Sequence, residues 1–159
     1  MKENFYDLKR ESSLIRTVID EQKLSDLPLI PESFPVGSCK LASFLLAYHF
    51  NLTFKKFMVR GVSGRLKIDN SVSHFWLEID EFIIDITADQ FNDYFGQIAL
   101  INKSGEFPKV IVEKRSSSDF YQLFTVVDKE VINFNCDEYG EDFMADMHYT
   151  YKYLLQKNT

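Results

Sequence analysis

Apolar and polar side chains alternate along His74-Phe75-Trp76-Leu77-Glu78-Ile79 and again along Phe82-Ile83-Ile84-Asp85-Ile86-Thr87. A period of two marks strands, and the two residues between them, Asp80-Glu81, have the length of a tight hairpin turn. Folding about that turn pairs Ile79 with Phe82, Leu77 with Ile84 and Phe75 with Ile86. These six side chains then share one face, which must be the core, because a slip of one residue would expose them all. The opposite face carries His74, Trp76 and Glu78 on one strand and Ile83, Asp85 and Thr87 on the next. In this register Asp85 lies opposite Trp76 and diagonal to His74. Diagonal neighbours are roughly 7–8 Å apart at the backbone, within reach of a carboxylate-to-imidazole hydrogen bond.

Upstream, Leu8, Ile15, Val18 and Ile19 form a helical stripe within residues 3–22. Residues 25–35 contain Pro28, Pro31 and Pro35, which predicts an extended, irregular connector. Gly37-Ser38 closes it, with Ser38 as N-cap of a helix from about Cys39 to His49 that buries Leu41, Phe44, Leu45 and Tyr48. Residues 55–62 read as a strand, 63–70 as a polar excursion and 88–95 as a short helical turn. Residues 109–113 and 120–127 read as further strands, with a loop at 114–118. Residues 137–156 read as a C-terminal helix whose acidic start suits the helix dipole.

Composition narrows the class. A chain of 159 residues, 45% hydrophobic and with 15 Phe, is expected to form one globular domain over residues 1–159. The net charge of −6 leaves no basic excess to neutralise phosphates, which argues against nucleic acid as a partner. The start Met1-Lys2-Glu3-Asn4-Phe5 lacks an apolar signal core, and no apolar stretch has the length of a membrane span. The expectation is a cytoplasmic protein without a membrane partner. Two cysteines cannot make a disulfide framework, and three widely spaced His (His49, His74, His148) give no zinc spacing, so neither metal nor cofactor is expected.

Cys39 changes the picture. A thiolate is the nucleophilic form of cysteine, and both a helix N-terminus and a nearby imidazolium favour it. Cys39 has the first by position and gains the second if His74 approaches. Asp85 would then orient the ring and stabilise its protonated form. Cys39, His74 and Asp85 are therefore the candidate nucleophile, general base and orienting acid. The backbone N–H of Cys39 is the natural first oxyanion donor. Ser38, Trp76 or a polar group of the 23–33 connector is a candidate for the second, and Gln90 for supporting the hairpin end or lining the cleft. Cys136, with no His near it in sequence, reads as a packing thiol, His49 as a charge partner at a helix end, and His148 as a residue without a role.

The order of these residues resembles the papain-like and transglutaminase-like cysteine superfamily. The similarity is carried by Phe34-Pro35-Val36-Gly37-Ser38-Cys39, Ser73-His74-Phe75-Trp76-Leu77-Glu78 and Ile83-Ile84-Asp85-Ile86-Thr87-Ala88-Asp89-Gln90-Phe91, and it covers residues 34–91. It resembles a group of bacterial proteins of that kind. The resemblance implies an α+β fold, with the Cys helix packed on an antiparallel sheet that bears His and Asp. It also implies hydrolysis of a peptide or protein amide, by a peptidase, isopeptidase or deamidase working through a thioester. Transfer of the same acyl group to an amine is the alternative of equal chemistry. A binding or regulatory module on the same scaffold is the alternative of another class.

Overall fold

A computed structural model describes residues 2–94, 106–134 and 136–156. The predicted hairpin is its organising element. Strands β2 (Asp69–Ile79) and β3 (Phe82–Asp85) pair Leu77 with Ile84 and Ile79 with Phe82, in the register read from the alternation. Phe75, Leu77, Ile79, Phe82, Ile84 and Ile86 all enter one buried cluster. Asp80 takes a positive φ of 52° at the turn, a conformation Asp tolerates better than most residues.

The other strands, β1 (Arg60–Leu66), β4 (Ile111–Lys114) and β5 (Phe124–Val131), complete an antiparallel sheet in the order β4-β3-β2-β1-β5. The fold is α+β. Helix α1 (Lys2–Asp20) and helix α2 (Cys39–Thr53) pack on one face of the sheet, and α6 (Glu141–Gln156) packs against both helices. Three short helices, α3 (Gln90–Tyr94), α4 (Asp119–Gln122) and α5 (Cys136–Tyr139), join these elements. Leu8, Ile15, Val18 and Ile19 of α1 are buried as their spacing requires.

Four expectations need correction. The strand expected at 55–62 begins only at Arg60 and continues through the supposed polar excursion to Leu66. Gly61 and Gly64 explain both the misreading and the structure. A Cβ on Gly61 would sit 2.4 Å from Cζ of Phe75, and one on Gly64 would sit 2.6 Å from Cη2 of Trp76. The glycines let one large ring lie across β1 on each face of the sheet, a use of strand glycine that looks like a loop in sequence. Second, the proline connector is wound into successive turns, with hydrogen bonds from Ile30 N to Leu27 O, Phe34 N to Pro31 O and Val36 N to Ser33 O. Leu27, Leu29 and Ile30 pull it into the core. Third, Gly140, at a φ of +69°, separates α5 from α6, so the C-terminal helix is two helices. Fourth, the strand expected at 120–127 starts at Phe124. Ser118 instead caps α4, its Oγ accepting from Tyr121 N at 3.1 Å. Part of the turn expected at 88–95 and the side chain of Cys136 lie outside the described residues.

The face opposite the helices is also covered. Trp76, Ile83, Phe91, Phe107, Phe120 and Phe124 belong to a second buried cluster, beneath which His74, Glu78, Asp85 and Thr87 are all buried. Gly64→Ala should drive a methyl group into Trp76 and cost about 1–3 kcal/mol. Thermal denaturation checks this, and an unchanged midpoint would mean that the ring has room to move.

Candidate active site

Cys39 is the first residue of α2, half-buried and unbridged. Ser38 occupies the N-cap position, but its hydroxyl donates to Val36 O at 3.3 Å and makes no hydrogen bond to the helix. The first-turn amides of α2 therefore lack a side-chain cap beside the thiol, which leaves the positive end of the helix facing Cys39.

His74 comes from β2 and Asp85 from the end of β3. Asp85 Oδ2 lies 2.5 Å from His74 Nε2, and both side chains are 0% exposed. The other carboxylate oxygen accepts from Thr87 N at 2.7 Å and Thr87 Oγ1 at 2.9 Å. The Asp-x-Thr spacing forms a local turn that fixes the carboxylate and leaves Oδ2 for the imidazole. The Cys39 thiol lies close enough to the ring to act on its pKa.

Burial alone would push the His74 imidazole down. The charge of Asp85 and its hydrogen bond outweigh that effect, the Cys39 thiol adds to them, and the pKa is pushed up to about 9. The ring is held by Phe91 at 4.9 Å between centroids, Phe124 at 5.4 Å, Phe120 at 5.8 Å and Trp76 at 6.1 Å. His74 is thus enclosed by aromatic rings, with the Asp85 carboxylate on Nε2 and its pKa raised by Asp85 and Cys39 together.

This predicts a pH-dependent stability. The folded-state value lies above the ordinary 6.5. The contribution is therefore complete below 6.5 and disappears as pH rises through about 9. Its size is ~3 kcal/mol, from the unit-to-energy conversion for a proton held in the folded state. Urea midpoints measured across that interval should fall in the parent protein and stay much flatter in His74→Gln. Parallel curves would remove the imidazolium from the stability of the fold.

Gln90, at the start of α3, stands beside the ring. Its amide nitrogen donates to Thr87 O at 3.0 Å and lies 3.5 Å from His74 Nδ1. The bond to a carbonyl, which only accepts, fixes the orientation of the amide, and the same nitrogen also donates to Thr87 Oγ1 at 3.2 Å. Gln90 also lines a cleft of about 340 Å³ with Val36, Gly37, Ser71, Val72, Ser73 and Phe91. Gln90, expected to line the cleft, is beside both ring and cleft. Ser38 Oγ is committed to Val36 O, and Trp76 packs against His74 with its Nε1 buried and without a partner.

Thr87 and Arg16 are parts of the site that sequence reasoning passed over. Thr87 carried the signal of its spacing from Asp85. Arg16, on α1, gave none, since its partners Ile86 and Asp89 lie 70 or more positions away along the chain. His49 is not a helix-end charge. It is buried inside α2, bonded to Glu11 of α1 at 2.8 Å and to Tyr151 of α6 at 2.9 Å, and ties three helices together away from the thiol. His148 packs on Tyr48. A cavity of about 720 Å³ lies beside Tyr48, Phe57, Val131 and His148, away from Cys39. No helix among the described residues is long and apolar enough to cross a membrane. Comparison with protein families, with curated proteins and with solved structures gives no match to this chain.

Proposed function

We propose that the protein is a cysteine-dependent amide hydrolase of the papain-like and transglutaminase-like kind, with Cys39 as nucleophile, His74 as proton carrier and Asp85 as orienting acid. One observation carries this reading: a fully buried His74 bonded through Nε2 to Asp85, with its pKa raised by Asp85 and by the thiol of Cys39 at the start of α2. A buried charged group is costly unless it is paired, and here the pair adjoins Gln90, which lines a cleft together with the Val36-Gly37 turn that leads to Cys39.

The chemistry follows from the geometry. Sγ of Cys39, as thiolate, adds to the carbonyl carbon of the amide. The oxyanion is received by the backbone N–H of Cys39. His74 passes its Nδ1 proton to the leaving nitrogen as the C–N bond breaks, and a thioester remains on Sγ. A water molecule then gives a proton to Nδ1 while its oxygen adds to the thioester carbonyl. Loss of Sγ as thiolate yields the acid and restores the imidazolium. Asp85 keeps Nε2 protonated throughout. The substrate proposed is a peptide bond or a side-chain amide of a protein.

The test is acyl-enzyme formation with p-nitrophenyl acetate. A burst of p-nitrophenol equal to the protein concentration, with acetyl located on Cys39 by mass spectrometry and slowed in His74→Ala, is expected. Acetylation spread over lysines without a burst would sink the proposal. Added amines that capture the acetyl group in preference to water would move the reading to acyl transfer.

A further inference from the structure

Arg16 is 4% exposed, a rare state for a guanidinium. It donates to both carboxylate oxygens of Asp89 at 2.7 Å and to Ile86 O at 2.7 Å. Weaker bonds reach Asp20 at 3.0 Å and Lys109 O at 3.3 Å. Its carbon lies 4.8 Å from the centroid of Phe34.

These partners belong to two segments that the site must hold together. Ile86 follows Asp85, and Asp89 precedes Gln90, so the bidentate bond and the bond to Ile86 O pin the segment carrying Asp85, Thr87 and Gln90. Phe34 opens the turn that runs through Pro35, Val36 and Gly37 to Cys39. Neither segment is a ladder strand where Arg16 touches it: β3 ends at Asp85 and α2 begins at Cys39. Sheet pairing fixes His74 and helix packing fixes α2. The two meet at the thiol through loops, and one guanidinium spans both.

We propose that Arg16 is a positioning residue that sets the Cys39–His74 contact from α1, by clamping the Ile86–Asp89 segment while stacking on Phe34. The inference rests on the thiol-imidazolium reading of the site. A planar, five-donor group is needed, because a lysine can neither grip Asp89 bidentately nor lie flat on a ring. Small displacements of reacting groups caused by distant substitutions cost up to about 100-fold in rate.

The experiment compares the parent with Arg16→Lys and with Asp89→Asn, whose carboxylate is partly exposed and whose loss the fold tolerates better. Two quantities are read: the rate of Cys39 alkylation by iodoacetamide near neutral pH, and the titration of the His74 ring by NMR. In both folded variants alkylation should slow by about 10-fold to 100-fold, and the His74 titration should move down toward that of an ordinary histidine. Methylguanidinium should restore part of the rate to Arg16→Ala but not to Asp89→Asn. A folded Arg16→Lys or Asp89→Asn protein with the parent's alkylation rate and His74 titration would overturn the proposal and leave Arg16 as a structural residue. A parent Cys39 that is slow and indifferent to His74→Ala would instead defeat the catalytic reading. The NMR titration would still decide whether Arg16 shapes the His74 environment.

Discussion

Asp85→Asn should leave the fold standing and slow acyl transfer by about 10⁴-fold, the scale seen when an orienting carboxylate of a nucleophile–His–acid set is made neutral. The reason lies in the hydrogen bonds of the carboxylate. The oxygen that Thr87 holds from its N–H and its hydroxyl fits an Asn carbonyl equally well, so the side chain should keep its place. The amide NH₂ is then aimed at His74 Nε2, where the parent has an acceptor. A donor facing Nε2 forces the proton to the other nitrogen and withdraws the charge that holds the imidazolium. Turnover of an activated ester, measured beside a melting curve, checks both halves of this prediction. Full activity in a folded Asp85→Asn protein would remove Asp85 from the mechanism.

Phe75→Ala should cost about 3–5 kcal/mol, the usual range for emptying a buried aromatic site. Phe75 is 4% exposed, lies edge-on to Phe44 at 5.6 Å and has the Lys40 ammonium 5.6 Å from its ring centroid. Its ring also occupies the space above Gly61. Removing it opens a cavity between α2 and the sheet, directly behind the strand that carries His74. A urea midpoint equal to the parent's would mean that the hairpin faces are assigned the wrong way round.

The hairpin and the thiol were legible because their signals are local. A period of two with a two-residue turn allows one register, and the core residues at 75, 77, 79, 82, 84 and 86 follow from it. Cys39 at a helix start needs only the Gly-Ser before it and the apolar stripe after it. What was not legible depends on partners far along the chain. β1 was displaced because Gly61 and Gly64 read as punctuation, whereas they make room for Phe75 and Trp76. The turns of residues 25–37 are set by burial of Leu27, Leu29 and Ile30, and prolines alone gave only irregularity. The aromatic cover over His74 comes from Phe91, Phe120 and Phe124, and no pattern near residue 74 announces it. No local pattern marks Arg16, and only the folded chain shows that it is enclosed.

The central claim is that Cys39 and His74 act as one ion pair, and the most direct test is alkylation by iodoacetamide at about pH 6, where an ordinary thiol is almost wholly protonated and slow. Sites would be located by mass spectrometry in the parent and in His74→Ala, with urea-unfolded protein as the reference for an ordinary thiol. The account predicts that native Cys39 reacts well above that reference and that His74→Ala removes the advantage. Native Cys39 reacting no faster than in the unfolded chain, or equally fast with and without His74, would contradict it.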